Sequence, residues 1–510
     1  MNLGELLQTS ISKRELRLWA SGACSVLAIK KIADARATVA RPFQPIRFLV
    51  IRPAFIATIL FAVLYLVPIF GRAQTLASSP PMGWNSWDSY GLTIDEEQFK
   101  ANAKVLASLK QYGWRYAVID AGWYMGKPDG ATVEQKQYLW NENGLLIPVA
   151  ARFPSAANGA GFKPLADWVH ALGLKFGIHI MRGIPRQVVA ANLPIAGTTF
   201  NAADAADTAS PCPWDEGNWG IKDNAAGQAY YDSMLKLYAS WSIDFLKVDC
   251  ISDRPYRPTE IRQIAEAISK TGRPIVLSLS PGPTALDHAS ELAKYAQIWR
   301  ITDDHWDAWK FPQQTPEGFP FGVRGEFDVL AKWYPYAGPG HWPDPDMLPE
   351  GWLGPDPGFG PPRQSRLTPD EQRTEFTLWC VTRSPLIFGG NLTRLDALSR
   401  SLLTNQTLLN IDQNASYSRP VDIAKLGPGF GNARVWRAAI TDPGARDYAE
   451  YVAFFNLADR PATLHATWKQ LGLRGTKHSA RNVWDDSITT ESKEISVTLP
   501  PRGGALFEMR

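Results

Sequence analysis

The chain has 510 residues, 45% of them apolar and 20% charged, with a formal net charge of +3. That composition builds a large packed core and excludes an intrinsically disordered chain, and the near balance of charge excludes nucleic acid as a partner. At this length two domains with accessory segments are expected.

Residues 1–52 carry nine Lys/Arg against three Asp/Glu, and Ala54 to Phe70 is a run of seventeen residues without a charge. Gly71-Arg72-Ala73-Gln74 follows, so the whole resembles a secretory signal cleaved after Ala73. The apolar run also suits an uncleaved anchor. In either case the basic flank stays inside and the body is exported, to the periplasm or the medium. A reading that starts at Val50 is an ordinary signal, which makes an over-called start site a further possibility. Residues 1–79 are therefore set apart from the folded body.

From Pro80 onward, short apolar runs of strand length alternate with helical patterns. The strand-like stretches are Met82–Trp87, Tyr116–Trp123, Leu174–Ile180, Asp244–Asp249, Pro274–Ser280, Gln297–Thr302, His341–Leu348 and Pro385–Gly390. Helix-like stretches between them include Asp95–Lys110, Pro164–Leu172, Gly227–Trp241, Pro258–Thr271, Leu286–Ala296 and Thr368–Thr382. Thr368-Pro-Asp-Glu carries a cap, a proline and acids in the order that starts a helix. Eight such repeats close most economically into a (β/α)8 barrel over residues 80–414. A doubly wound sheet is the alternative, but no glycine-rich phosphate turn follows an early strand. After Asn414 the texture changes to short β-rich runs separated by Gly, Pro and Asp: Ala433–Ile440, Asp447–Leu457, Ala462–Trp468, Ser479–Asp486 and Glu494–Leu499. Residues 415–510 are expected to form an antiparallel β-sandwich that supports the barrel.

Catalytic groups of such barrels sit where strands end. The stretch Asp244-Phe-Leu-Lys-Val-Asp249 places Lys247 and Asp249 at the end of an apolar strand, where two charges are costly without a task. A structural Lys–Asp pair is the bland reading. The other strand ends add Trp84 and Trp87, Asp120, His179 and Arg182, Ser280, Arg300 with Asp303 and Asp304, and Asp344 with Asp346. Carboxylates, a few cations and tryptophans suit a neutral polyhydroxylated ligand, since carboxylates bind hydroxyls and an indole face stacks on the C–H side of a sugar ring. Two carboxylates at such a mouth serve glycoside hydrolysis. Four cysteines (Cys24, Cys212, Cys250, Cys380) and seven histidines form no metal-binding spacing, and neither metal nor cofactor is expected. Cys212 and Cys250 are candidates for a disulfide.

Met82-Gly-Trp-Asn-Ser-Trp87, Ile119-Asp120 before Trp123, Leu246-Lys-Val-Asp249, Trp299-Arg300 with Asp304, and Gly338-Pro-Gly-His-Trp-Pro-Asp-Pro-Asp-Met347 occur in this order. In that series, continued by Leu367–Leu392 and Pro500-Pro-Arg-Gly-Gly504, residues 80–510 resemble the α-galactosidases of glycoside hydrolase family 27. The resemblance implies a retaining exo-glycosidase for terminal α-D-galactosyl residues. Asp249 is then the nucleophile and Asp304 the general acid/base, with Asp303 its adjacent rival, and the two carboxyls about 5–5.5 Å apart. It further implies that Lys247 and Arg300 hold ring hydroxyls, Asp120 reads outer hydroxyls, Trp87 walls the sugar, and Asp346 and Met347 line the pocket. Lys247 is expected to lower the pKa of Asp249, and burial beside it to raise that of Asp304. Asp344 is expected to brace loops.

The chain departs from the family at Ala121, where a second aspartate is usual; at Ser280, where α-galactosidases often have Glu near the 2-position; at His179, in place of Tyr; and at Cys250, directly after the nucleophile. A smaller residue at Ser280 resembles α-N-acetylgalactosaminidases. Gly183–Asn224 has no counterpart and is expected to form a lid or pocket wall. The alternatives are an α-N-acetylgalactosaminidase, a β-L-arabinopyranosidase, a Schiff-base enzyme using Lys247, and a non-catalytic sugar-binding protein. A carbohydrate is the expected partner. A membrane enters only through an N-terminal anchor, and the sequence leaves the oligomeric state open.

Overall fold

The computed structural model describes residues 75–510, apart from 314, 316–317, 441–448 and 510. The expected leader with its apolar stretch Ala54–Phe70, and Cys24, lie outside the described residues.

Eight parallel strands line up as β1 (Met82–Asn85), β2 (Tyr116–Ile119), β3 (Lys175–Met181), β4 (Phe245–Asp249), β5 (Val276–Leu279), β6 (Ile298–Arg300), β7 (Trp342–Asp344) and β8 (Leu386–Phe388). Their spatial order is β8-β1-β2-β3-β4-β5-β6-β7. Leu348, four residues past β7, closes the ring: its N–H donates to the Ile387 carbonyl at 2.8 Å, and it bridges Phe388 in parallel. The result is a (β/α)8 barrel. Each strand falls on a stretch marked by its apolar pattern, with one difference of form. His341–Leu348 is not one continuous strand, because Asp346 turns into the left-handed region (φ 86°) and interrupts the pairing until Leu348. Aspartate is among the few residues that tolerate this conformation.

The period of two along a strand decides what fills the barrel. In β4, Leu246 and Val248 point outward and are fully buried under helices. Phe245, Lys247 and Asp249 share the opposite face. At the bottom of the barrel Phe245 packs with Tyr116, Val118, Val276 and Ile298 in an apolar plug. One and two pleats higher, polar residues replace them.

The outer ring comprises α1 (Glu96–Leu109), α2 (Lys163–Ala171), α3 (Ala225–Ser240), α4 (Pro258–Thr271), α5 (Ala289–Tyr295), α6 (Val323–Trp333) and α7 (Pro369–Thr382). Asp95 caps α1 in a capping box with Gln98, and Thr368 caps α7 with Glu371, which satisfies N–H groups that a helix start leaves open. Helix α6 was not anticipated, although Val323, Phe327 and Leu330 recur at helical spacing and are buried. Its signal is masked by the Gly- and Pro-rich run that precedes it.

After α8 (Ala397–Leu403) and α9 (Gln406–Asn414) the C-terminal strands follow: β9 (Tyr417–Pro420), β10 (Ala433–Ile440), β11 (Ala449–Asn456), β12 (Ala462–Thr467), β13 (His478–Asn482), β14 (Ile488–Ser492), β15 (Glu494–Leu499) and β16 (Gly504–Met509). An antiparallel sheet β9-β10-β11-β16-β13-β14 faces the ribbon β12-β15. Val452, Phe454 and Phe507 from one layer meet Leu464, Ala466 and Val497 from the other, which makes the expected β-sandwich. Strands β9 and β14 were not anticipated, because Tyr417–Pro420 and Ile488–Ser492 carry little apolar alternation.

Helix α7 is the seam between the domains. It is buried on nearly every side from Glu371 to Thr382, as a helix flanked by two layers must be. Glu371 also accepts a bond from Arg502 Nη1 at 2.8 Å, and Thr374 Oγ1 donates to the Arg502 carbonyl at 3.0 Å. Nearby, Phe455 of the sandwich meets Phe327 of α6 edge-on, centroids 5.1 Å apart. Phe455 is fully buried, so Phe455→Ala should cost about 3–5 kcal/mol, read as a lowered urea midpoint. A loss below about 1 kcal/mol would mean that the seam contributes little.

Candidate active site

At the upper end of the barrel the inward residues converge. Lys247 Nζ donates to Asp120 Oδ2 at 2.9 Å, and Asn85 Nδ2 donates to the same oxygen at 2.7 Å. The other oxygen, Oδ1, accepts the N–H of Ala121 at 2.8 Å. Asp120 is 2% exposed. Burial alone raises such a carboxyl, but the charges of Lys247 and His179 outweigh it and hold Asp120 far below the usual range. For Lys247, burial pulls downward and Asp120, Asp249 and Asp346 push upward more strongly, so its ammonium stays charged. A lysine held this way does not form a Schiff base.

Asp249 sits one pleat above Lys247. Its Oδ1 accepts the N–H of Cys250 at 2.7 Å and lies 3.4 Å from Ser280 Oγ, and its Oδ2 lies 3.4 Å from His179 Nε2. Cys250 itself adopts a left-handed backbone (φ 62°). Burial pushes the Asp249 carboxyl up, but His179, Lys247 and the Cys250 N–H together leave it below its ordinary value. The main lowering partner is thus His179, whereas Lys247 makes its direct bond to Asp120. Ser280 reaches Asp249 rather than standing apart.

Asp304 lies in the same cleft as Asp249. Arg300 Nη2 donates to its Oδ1 at 3.2 Å and to Asp346 Oδ2 at 2.8 Å. The Asp304 side chain keeps 35% of its surface open to the cleft, yet protein surrounds the mouth. That enclosure, opposed by Arg300 and reinforced by the charges of Asp346 and Asp249, pushes its carboxyl up to about 6. Asp303 is occupied elsewhere: its Oδ2 accepts from Arg254 Nη2 at 2.6 Å, its Oδ1 takes the N–H of Asp304 at 2.8 Å, and it is 7% exposed. Of the two neighbours, Asp304 is the one open to a ligand.

Asp346 accepts the N–H of His305 at 2.9 Å, and its own N–H donates to Asp344 Oδ1 at 2.9 Å. Asp344 thus braces the β7 loop, as anticipated. Met347 shares the barrel interior with Lys247, Arg300 and Asp346. Trp87 stands on the turn after β1, and its ring lies against the backbone of Gly358, where a Cβ would come within 2.3 Å of the indole. The structure therefore groups Asp120, Lys247, Asp249, Ser280, Arg300, Asp304 and Asp346 into one network and places Trp87 on its rim loops.

Cys212 and Cys250 are joined in a disulfide. It ties the long segment after β3 to the residue following Asp249, and brings Pro213 and Trp214 to the cleft, which encloses about 590 Å³. Trp214, Phe319 and Arg254 line this space and were not singled out from sequence. Nor was Asn85, although it lies inside the Met82–Trp87 motif. A strand pattern marks facing but not which loop folds over the mouth.

The profile for "Alpha galactosidase A" matches residues 214–414, and that for "Alpha galactosidase C-terminal beta sandwich domain" matches residues 431–509. An α-galactosidase A from Cellvibrio japonicus is 30% identical, covering 86% of this chain and 93% of its own length. The crystal structure of a family 27 β-L-arabinopyranosidase from Geobacillus stearothermophilus superposes with a TM-score of 0.77 at 41% identity, covering 85% of this chain and 97% of that one. The chain belongs to glycoside hydrolase family 27. An α-N-acetylgalactosaminidase from Rattus norvegicus is similar at 28% identity, over 85% of this chain and 91% of its own. Family 27 membership makes the chain a glycoside hydrolase with a carbohydrate substrate, and its relatives carry more than one sugar specificity.

Lys247→Met would strand the Asp120 carboxylate in the barrel, at a cost of about 3–5 kcal/mol at neutral pH. Because pairing lowers the folded pKa of Asp120, the lost stabilisation is present above its unfolded value of about 3.9 and fades as pH falls through the folded value. The gap between mutant and parent urea midpoints should therefore be wide at pH 7 and narrower in acid. A gap independent of pH would refute the pairing argument.

Proposed function

We propose that the protein is a retaining exo-glycosidase in which Asp249 is the nucleophile and Asp304 the general acid/base. The observation that carries this reading is the opposite setting of two carboxyls in one cleft. Asp249 is kept ionised by the bonds it accepts, and enclosure beside other carboxylates lets Asp304 hold its proton up to about pH 6. Opposed pKa values of this kind assign the two roles. Asp304 protonates the glycosidic oxygen while Asp249 attacks the anomeric carbon, giving a glycosyl-enzyme. The aglycone then leaves, and Asp304, now a carboxylate, takes a proton from the water that releases the sugar with its anomeric configuration retained. Lys247, Asp120, Arg300 and Asp346 hold the ring hydroxyls.

For the sugar, the reading favours a β-L-arabinopyranoside over an α-D-galactoside. The two rings have the same hydroxyl arrangement and differ by the hydroxymethyl group of galactose. Asp120 is in place for hydroxyls, but Ala121 offers no second carboxylate for the additional arm. The similarity to the Geobacillus arabinopyranosidase supports the same choice. The α-galactoside is the second reading, supported by the matched family model. The Cys212–Cys250 disulfide suits an oxidising compartment and supports export of the body.

Turnover of nitrophenyl β-L-arabinopyranoside, α-galactoside and α-N-acetylgalactosaminide tests the reading. The arabinopyranoside should be preferred, all turnover should vanish in Asp249→Asn, and NMR should show retention. Ala121→Asp should shift the kcat/KM ratio toward the α-galactoside by about 10–100-fold, the worth of a hydrogen bond to a charged group. Preference for the α-galactoside by the parent enzyme would reverse the choice of sugar and keep the mechanism.

The pH profile follows with its sign. Hydrolysis needs Asp304 protonated and Asp249 ionised, so kcat/KM should fall as pH rises through about 6 and fall again in acid below the ordinary carboxylate range. Asp304→Asn should remove the upper limb, and lose less on nitrophenyl than on alkyl glycosides because nitrophenolate leaves without a proton. An upper limb that survives in Asp304→Asn would reassign the acid.

A further inference from the structure

The catalytic network accounts for the floor of the cleft and leaves its outer walls unexplained. Besides Arg254, Asp303 and Thr315, those walls carry four apolar side chains. Trp214 and Pro213 come from the segment after β3, Pro281 from the end of β5, and Phe319 from the loop after β6. Trp214 is 47% exposed, an unusual cost for an indole that could have been folded away. The other exposed large hydrophobic side chains among the described residues, Leu139, Leu286, Tyr336 and Ile488, do not line this cleft.

Both aromatic residues sit on segments anchored beside the cleft. Trp214 follows Cys212 by two residues, and the disulfide fixes that point to Cys250, beside Asp249. Phe319 meets Phe359 edge-on at 5.3 Å, and Phe359 meets the buried Trp306 at 5.3 Å. A pre-set aromatic wall binds with little loss of side-chain freedom. Arg254, the cation lining this space, is already paired with Asp253 and Asp303, so the chemistry of the walls does not select an anion.

We propose that Trp214 and Phe319 form the leaving-group subsite and grip the flat apolar face of a cyclic aglycone. This rests on Asp304 being the proton donor. The glycosidic oxygen must lie at Asp304, the sugar must reach inward to Lys247 and Asp120, and the group on the other side of that oxygen then falls between the two aromatic residues. Either the C–H face of a second pyranose or an aromatic ring has this chemistry. A methyl aglycone has no face to offer.

The test compares methyl, nitrophenyl and disaccharide substrates carrying the same preferred glycone, with the parent enzyme, Trp214→Ala, Phe319→Ala and Trp214→Phe. A ring contact of this kind is worth on the order of tenfold. Each alanine variant should lose about that factor in kcat/KM on the cyclic aglycones, stay within about twofold on the methyl glycoside, and Trp214→Phe should recover most of the loss. Hydrolysis of the glycosyl-enzyme, measured where it limits kcat, should be unchanged because the aglycone has already left. Loss on the disaccharide alone assigns the slot to a sugar, and loss on the nitrophenyl glycoside alone to an aromatic ring; either supports the subsite. Equal losses on all three substrates, or none on any, overturn it while leaving the catalytic pair intact. A parent enzyme silent on every glycoside overturns the functional reading and this subsite together.

Discussion

A charge inside a closed barrel needs a counter-charge, and the Lys247–Asp120 pair meets that need at 2.9 Å. It spans the ends of β4 and β2 across β3, so the relative height of three strands is fixed where the ligand enters. Replacing such a pair with apolar residues often does not harm stability, so stability does not explain its presence. What it provides is a floor of fixed positive and negative groups, already desolvated and oriented, at the mouth of the barrel. Asn85 and the Ala121 N–H complete the bonding of Asp120, so no oxygen of this buried carboxylate is left unsatisfied.

Three aspartates within this mouth show how surroundings, not side-chain type, decide the charge. Asp120 and Asp249 are surrounded by donors and cations and are held low, whereas Asp304 is held high by enclosure, which the charges of Asp346 and Asp249 reinforce. Arg300 is the arbiter. It binds Asp346 at 2.8 Å and Asp304 at 3.2 Å, and its charge opposes the enclosure that raises Asp304 without cancelling it. The result is one carboxyl held low and one held high within a single crowded set of charges.

The scaffold holds these settings through contacts distant from the mouth. Helix α7 is clamped between barrel and sandwich, and it leads directly into β8. Its capping residue Glu371 also receives Arg502, so one carboxylate both starts the helix and joins the domains. On the opposite side of the mouth, the disulfide holds a long connection that would otherwise have few constraints.

The fold was legible almost in full, because alternation and helical spacing are local properties of the chain. Eight strands, most of the helices and the change of texture after Asn414 could be read directly, and weakly patterned pieces such as β9, β14 and α6 could not. The catalytic candidates Asp249 and Asp304 were legible through strand position and motif order. What the sequence by itself determined is therefore the barrel, the sandwich and the inventory of polar groups at the strand ends. Only the tertiary structure decided which carboxylate each donor serves: Lys247 pairs with Asp120 and not Asp249, Arg254 engages Asp303 at the wall of the cleft, and His179 becomes the partner of Asp249. It also decided which distant loops carry Trp214 and Phe319 over the carboxylates. Pairing energies depend on ångström distances between residues far apart in the chain, and spacing along a sequence does not contain them.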